Sequence, residues 1–346
     1  MRLLSAILLL LTACAAVPPQ RVQIRLVSDE AEAVLTILDK RAANEAVADA
    51  DWQRLFATEG YIRLQKRERS MKRPFEDDAF RTFVLSDGLL AKRVMLRTTL
   101  EEWMRADLSK DGARALAYLP PDATIRAKVY PVIKPQGNSF VFEVDRDPAI
   151  FEYVTSEPRE TFETIIAHEM HHVGYGTACP PRDVQAEIDK LPETDRELLK
   201  WMSAFGEGFA TLAAAGGPDV PNPEVRMAAD VRDAFAKGLT TYDADFQTLV
   251  SFFLDIDNGK LKADAADERG FQFMGFVGPW YTVGWKMDVV IEKTLGRNAL
   301  IDAMCDQRTL MATYNRAADE WTRRTGEQLP RWPDALVSKW SGTPGR

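Results

Sequence analysis

The sequence predicts a mainly helical α+β fold with a small antiparallel sheet. Apolar residues recur at helical spacing through residues 28–46, 50–73 and 87–117 of the 346-residue chain. These segments predict a helical N-terminal region over residues 26–123. Beyond it, strand-like patterns appear among further helical ones, which predicts a second region over residues 124–346 that contains the sheet.

Two short segments have the alternating apolar pattern of strands. They are residues 124–133 and residues 139–145, the latter reading SFVFEVD. A Gly-Asn pair at residues 137 and 138 predicts a turn between them.

The first 20 residues have the pattern of a bacterial secretory signal. Arg2 precedes an apolar run that is too short to cross a membrane. Leu-Thr-Ala-Cys, which ends at Cys14, resembles the lipoprotein box. We therefore expect a signal peptide over residues 1–13, a lipid on Cys14 and a tether over residues 14–25.

The residue after the predicted cleavage site bears on location. Ala15 follows Cys14, and in bacterial lipoproteins this favours sorting to the outer membrane. We therefore expect a protein of the bacterial cell envelope that is anchored to the membrane by its N-terminal lipid and faces the periplasm. The alternative is an ordinary signal peptide, with Cys14 incidental.

The balance of charge argues against nucleic acid as a partner. The chain has 44 basic and 52 acidic residues, a net charge of −8, and loss of Arg2 with the signal peptide would make it −9. Domains that bind nucleic acid are usually basic. No stretch after the signal peptide reaches the ~18 apolar residues that a transmembrane helix needs.

The three histidines of the chain lie together, as His168, His171 and His172 in the run AHEMHHVG. The run contains an HExxH pattern. Residues four apart lie on one face of a helix, so His168 and His172 can bind one Zn²⁺. Glu169 lies beside them and can hold the water that the zinc activates. The alternative is a solvated helix with clustered histidines.

The residues around HExxH predict a helix with one apolar face. Five residues recur at helical spacing on that face: Phe162, Ile165, Ile166, Met170 and Val173. Pro158 suits the first turn, and Gly174 and Gly176 predict the end of the helix. The motif does not require His171, which we expect either to support the site from behind the ligands or to lie at the surface.

A catalytic zinc needs a third protein ligand, and no histidine remains. Glu207 is the best candidate, because it is the only charged residue in WMSAFGEGFATLAAAGG, residues 201–217. A carboxylate in so apolar a setting is costly unless it is paired or bound to metal. Gly206 and Gly208 predict close contact with another backbone. The alternative is a buried Glu207 paired with an arginine.

Two cysteines remain besides Cys14, and three states are open to them. Cys179 and Cys305 could form a disulfide in an oxidising compartment or remain free thiols. Cys179 lies seven residues after His172, so it is also a rival zinc ligand.

HExxH followed by a glutamate on a second helix resembles the gluzincins, the thermolysin-like clan of zinc metallopeptidases. The segments AHEMHH, GEGFATL and GPWYTVGWKMDVVIEKTLG are also similar to those of uncharacterised bacterial zinc-dependent peptidases. The resemblance implies a zincin-like catalytic region in which His168, His172 and Glu207 are ligands and Glu169 is the general base. One position departs from the pattern, because Thr211 stands where an aspartate often follows the glutamate ligand.

The resemblance carries two further expectations. HExxH peptidases of this type commonly use a Tyr or His to donate a hydrogen bond to the developing oxyanion. Tyr281, near the start of a helical run between Pro279 and Gly296, is the candidate, and an aromatic core residue is the alternative. In zincins an antiparallel edge strand precedes the motif helix and binds the substrate backbone. Residues 139–145 are either that strand or part of the supporting sheet.

These features predict a zinc-dependent metallopeptidase that hydrolyses a peptide or protein substrate in the cell envelope, using zinc-activated water and Glu169 as the base. One alternative is a catalytically inactive, zinc-dependent lipoprotein that binds peptides or assists envelope assembly. Such a binder would not need Glu169. Hydrolysis of amide bonds in peptidoglycan would use the same residues, so the sequence does not separate it from peptide hydrolysis.

Overall fold

The structure, a computed structural model, describes residues 21–224 and 226–340. The predicted signal peptide and the predicted lipid site at Cys14 lie outside these residues. Within the described ranges, no helix is long and apolar enough to span a membrane.

Helices dominate the described part of the chain, and the mainly helical α+β prediction is confirmed. The strands are β1 (Val22–Leu26), β2 (Ile125–Val132), β3 (Phe140–Phe142) and β4 (Ala149–Tyr153). The helices before β2 are α1 (Asp29–Ala42), α2 (Asp49–Phe56), α3 (Glu59–Ser70), α4 (Asp77–Val84), α5 (Asp87–Trp103) and α6 (Leu108–Leu116). The helices after β4 are α7 (Arg159–Ala178), α8 (Arg182–Ile188), α9 (Glu193–Met202), α10 (Gly206–Ala215), α11 (Ala229–Thr240), α12 (Tyr242–Asp257), α13 (Ala263–Gln272), α14 (Pro279–Leu295), α15 (Arg297–Cys305), α16 (Leu310–Thr325) and α17 (Asp334–Val337). Short 3₁₀ turns lie at Ser203–Phe205, Gln307–Thr309 and Ser338–Trp340.

The four strands form one mixed sheet in the order β1-β2-β4-β3. β2 pairs in parallel with both β1 and β4, and only the β3–β4 pair is antiparallel. The prediction of a small antiparallel sheet is therefore wrong in its strand direction. The physical reason is the long helical crossover from β1 to β2, since a tight turn favours antiparallel neighbours and a long crossover permits parallel ones.

Strand β1 lies in a part of the chain where no strand was predicted. Val22 and Leu26 pair with Ile125 and Val129 of β2, so the sheet begins inside the tether predicted over residues 14–25. The pattern VQIRL does alternate in burial, as a half-buried strand should. The alternating pattern covers only five residues and overlaps the predicted tether, so it was too short to predict a strand.

Helix α7 lies between two hydrophobic cores. The first core joins α1–α6 and the sheet to one face of α7, including Phe162, Met170 and Val173. The second core is built from the C-terminal helices, and Tyr175 packs against both cores. Because the N-terminal helices share a core with the sheet, residue 124 is not a boundary between separately packed parts.

Helix α7 also extends beyond its predicted end. Gly174 and Gly176 lie inside the helix, which ends at Ala178. A Cβ atom at Gly174 would overlap the side chain of Leu119 and crowd Ile125. The glycine is therefore needed for close packing against β2 and the segment after α6, and it does not terminate the helix.

The segment around Glu207 was predicted as one helix and is divided in the structure. Helix α9 ends at Met202, one 3₁₀ turn follows, and α10 begins at Gly206. A Cβ at Gly208 would overlap the backbone at Trp285, so the predicted close backbone contact is confirmed there, against α14. Gly206, in contrast, faces open space.

A disulfide between Cys179 and Cys305 joins the end of α7 to the end of α15. Of the three states open from the sequence, the structure shows the paired one. The thiolate that made Cys179 a rival zinc ligand is therefore not available. The bond connects residues 126 positions apart and ties the motif helix to the second core.

Removal of this disulfide is expected to destabilise the protein. Closure of a loop of 126 residues restricts the unfolded chain, and the loop-entropy relation gives about 5 kcal/mol as the upper range of the effect. The double variant Cys179→Ser/Cys305→Ser should therefore unfold at a lower urea concentration than the oxidised wild type. Reduced wild-type protein serves as the control and should resemble the variant. An unchanged unfolding midpoint would contradict the prediction.

Candidate metal centre and catalytic residues

His168 and His172 lie on the partly exposed side of α7, away from the face that packs on the first core. Phe162, Ile166 and Met170 are fully buried, whereas His168 and His172 are partly exposed. Since the two histidines are four residues apart, their rings project in the same direction. Their Nε2 atoms lie 3.0 Å apart.

Helix α10 brings Glu207 to the two histidines. Its Oε2 atom lies 3.2 Å from His168 Nε2 and 3.4 Å from His172 Nε2. The close packing of α10 on α14 at Gly208 fixes the position of this first turn. Among the described residues, the ion-pair partners of Glu207 are the two histidines, so the alternative of an arginine partner is not supported.

The three donor atoms fit a zinc ion. Zinc bonds of 2.0–2.1 Å in tetrahedral geometry place ligand atoms about 3.3 Å apart. The observed separations among the Nε2 and Oε2 atoms are 3.0, 3.2 and 3.4 Å. Two imidazoles and one carboxylate also form a donor set that catalytic zinc uses, with a fourth position left for water or substrate.

The electrostatics of the cluster favour a cation at its centre. Burial alone would raise the pKa of Glu207, but the charges and hydrogen bonds of His172 and His168 hold it well below its usual range. Burial would lower the pKa of His172, yet Glu207 raises it to about 9. The two shifts have one cause, because negative charge on Glu207 and positive charge on His172 stabilise each other, and a metal ion held by these residues would supply the same positive charge.

Thr211 contacts the second ring nitrogen of His168. Its Oγ1 lies 3.5 Å from His168 Nδ1, and the side chain is buried. Thr211 follows Glu207 by four residues, so both lie on the same face of α10. A partner at Nδ1 orients the ring with Nε2 toward the centre. The sequence left this partner unidentified because it was sought among carboxylates.

His171 points away from the donor cluster. Only 1% of the residue is exposed, and its ring packs edge-on against Phe209 at 4.6 Å. Its Nε2 lies 3.4 Å from the carbonyl oxygen of Tyr118. Burial lowers its pKa well below the usual range. Of the two positions expected for His171, the surface position is wrong, because the ring faces the second core behind the motif.

Glu169 lies next to the donor cluster and makes no contribution to it. Burial raises the pKa of its carboxyl, the charge of Glu207 adds to the rise, and His168 and His172 oppose it. The side chain is half-buried. It is therefore a carboxyl group with a raised proton affinity beside a potential metal ion.

Tyr281 lies at the same cluster, in the first turn of α14. Its ring stacks with that of His168 at a centroid distance of 6.3 Å. Burial raises the pKa of its hydroxyl far above the usual value, and a hydrogen bond to Glu207 and the charges of Glu169 and Glu224 contribute. The hydroxyl therefore stays protonated and can donate a hydrogen bond.

Strand β3 lies at an edge of the sheet and precedes α7. Phe140–Phe142 pairs only with β4 among the described strands, and its antiparallel register places Phe140 opposite Phe151. The paired part is shorter than the predicted segment over residues 139–145. An edge position is what the substrate-binding reading requires, and a strand of the supporting sheet can also lie there.

Glu224 is a carboxylate near the cluster that the sequence did not indicate. It lies in the loop between α10 and α11, and its charge contributes to the raised pKa of Tyr281. The residue belongs to no periodic segment and no motif. No sequence signal could have placed it near His168, because the placement depends on how the loop folds back.

The mainly helical fold carries a cluster of two histidines and one glutamate that could hold a metal ion. The chain belongs to the family DUF5700, described as "Putative zinc dependent peptidase", whose model matches residues 52–321. Searches of curated proteins and of solved structures gave no match. The family match supports zinc and peptidase chemistry at the coarse level, and it assigns no role to individual residues.

Proposed function

We propose that this protein is a gluzincin-like zinc peptidase in which His168, His172 and Glu207 hold the metal and Glu169 is the general base. The observation that supports the proposal most strongly is the convergence of the three donor atoms at separations of 3.0–3.4 Å. Two of them come from α7 and the third from α10. Glu169 follows His168 in the chain, and its carboxyl group interacts electrostatically with all three donor residues.

Zinc at this site would polarise the scissile carbonyl and lower the pKa of water toward about 7. Glu169 takes a proton from the attacking water and later delivers it to the leaving amine. Its position beside the ligands holds it close to that water, and its raised pKa suits a group that must both accept and release a proton. Tyr281 donates a hydrogen bond to the oxygen on which negative charge develops.

Metal-dependent cleavage is the test of this function. Purified protein that lacks residues 1–14 should contain about one zinc per chain, as a single three-ligand site implies. It should cleave members of a broad peptide library, as mass spectrometry would show. A chelator should abolish cleavage, and added zinc should restore it.

Two outcomes would favour the alternatives. Zinc-loaded protein that releases fragments from peptidoglycan, and none from peptides, would assign the chemistry to envelope amide bonds. Zinc-loaded protein that cleaves neither, in a strain where Glu169→Gln replaces the wild type fully, would indicate a zinc-dependent binding lipoprotein.

We further propose that the enzyme acts in the cell envelope, anchored by a lipid at Cys14. The support is the signal-like N terminus of the sequence. Cys14→Ala should release the protein from membrane fractions, because a lipid at that position would be its anchor. Mass spectrometry of the mature N terminus should find lipid on Cys14. A wild-type protein that is cleaved elsewhere and fractionates without the membrane would contradict the proposal.

A further inference from the structure

The loop that carries Glu224 is fixed against the helices on both sides of that residue. It spans residues 216–228 and begins at Gly216, whose φ of +90° turns the chain back at the end of α10. Asn222 Nδ2 donates to the carbonyl oxygen of Arg232 at 3.1 Å. On the other side, Thr161 Oγ1 donates to the carbonyl oxygen of Arg226 at 2.7 Å.

The attachment to Thr161 places the loop beside the candidate metal centre. Thr161 precedes His168 by seven residues, which is two helical turns, so both lie on the same side of α7. The two positions are about 10 Å apart along the helix axis. Glu224 lies two residues before Arg226, and its carboxylate interacts electrostatically with His168. Its charge also acts on the pKa of Tyr281 from this position.

The Glu224 carboxylate forms no ion pair with another described side chain. Its own backbone N–H donates to Asn222 Oδ1 at 3.0 Å. Its carboxylate, however, makes no ion pair and no hydrogen bond with a described residue. Burial raises its pKa, and the charge of His168 opposes that shift. Glu224 is half-buried and, among the described residues, no protein cation lies beside its carboxylate, so a cation supplied by a ligand would complete a charge pair there.

We propose that Glu224 binds a positively charged nitrogen of the substrate and thereby gives the site a preference for cationic peptides. This inference rests on the proposed peptidase function and extends it to a substrate class. The cation is the free α-ammonium group of a peptide or the side chain of a lysine or arginine close to the scissile bond. Both present the same chemistry to a carboxylate.

Equilibrium binding to a non-cleaving protein tests the proposal. The background is zinc-loaded Glu169→Gln, and calorimetry gives the Kd of three peptides of the same length. The first has a free amino terminus and neutral side chains, the second is its N-acetylated form, and the third is the acetylated form with one central residue replaced by lysine. We expect the first or the third to bind about tenfold more tightly than the second, as a charge pair in a partly desolvated cleft permits. Which of the two gains affinity identifies the source of the cation.

The variants then assign the preference to one residue. In Glu224→Gln, the Kd of the preferred cationic peptide should be close to that of the acetylated neutral peptide. In Glu224→Lys, the acetylated neutral peptide should bind more tightly than the cationic one. Asp233→Asn removes the same charge from an exposed position on α11, where the carboxylate is 78% exposed, and should preserve the ratio. Zinc content and circular dichroism confirm that each variant is folded and loaded.

Three outcomes would overturn the proposal: equal affinities for all three peptides, a preference that survives in Glu224→Gln, or loss of zinc from Glu224→Gln, which would place Glu224 in the metal site.

Failure of this inference can be distinguished from failure of the proposed peptidase function. If the wild type cleaves the acetylated neutral peptide without any preference for a cation, only this inference fails. If the wild type cleaves none of the peptides and none of them binds, both fail.

Discussion

Glu169→Gln is expected to abolish nearly all peptide cleavage while zinc content and fold remain those of the wild type. Glutamine keeps the size of the side chain and its capacity for hydrogen bonds but cannot accept the proton of the attacking water. A positioned general base typically contributes ~10²–10⁴ in rate, so kcat/KM should fall by about that factor. Glu169 is not among the three clustered donors, and for that reason the metal should stay.

The measurement compares kcat/KM on one cleavable peptide with zinc content in the same preparations. Glu160→Gln is the matched control, because Glu160 is an exposed glutamate in the first turn of the same helix. It should leave the rate unchanged. Tyr281→Phe should lose a smaller factor than Glu169→Gln, since it removes one hydrogen bond to the oxyanion. Full activity in Glu169→Gln would exclude Glu169 as the base.

The parts of the candidate site that could be predicted from the sequence are those that depend on local geometry. His168, Glu169 and His172 lie on one helical turn, and helical periodicity fixes their relation without any knowledge of the tertiary fold. Glu207 is distant in sequence, but a single charge in an apolar helix is itself a signal. In the structure, the donor atoms of His168, His172 and Glu207 lie together.

The parts that could not be predicted depend on contacts between distant segments. The partner at Nδ1 of His168 is Thr211, a neutral residue that carries no pattern of its own. The loop that carries Glu224 folds back onto Thr161, and no sequence pattern indicates that contact. The sequence did not show that His171 is buried, because the residues of the second core that cover it are distant in sequence.

The same division applies to the fold. Long amphipathic helices were predictable because their periodicity is local, as α1 and α14 show. The direction of the strands was not, because parallel pairing of β1 with β2 is decided by the helices between them. The sequence also predicted that α7 ends at Gly174, whereas the helix continues past it. The reason for a glycine there is the contact with Leu119, which the sequence does not reveal.

Glu207→Gln is expected to cause the other large loss, in this case of the metal itself. The variant keeps the shape of the side chain but removes the negative charge that lies against the Nε2 atoms of His168 and His172. Loss of a residue that only supports a metal ligand costs 10–100-fold in affinity, so loss of this carboxylate should cost more than about 100-fold. Competition with a zinc-binding dye measures the affinity, and peptide cleavage at limiting zinc should fall in parallel.

Thr211→Val is the matched comparison for Glu207→Gln. It removes a contact with His168 Nδ1 from the same face of α10 and leaves all three donor atoms in place. Its zinc affinity should therefore fall by less than that of Glu207→Gln, within the 10–100-fold range. A folded Glu207→Gln protein with wild-type zinc affinity would show that another group is the third ligand. Because Cys179 is held in the disulfide with Cys305, that group would have to be a second carboxylate close to the histidines, and Glu224 would be the first to substitute.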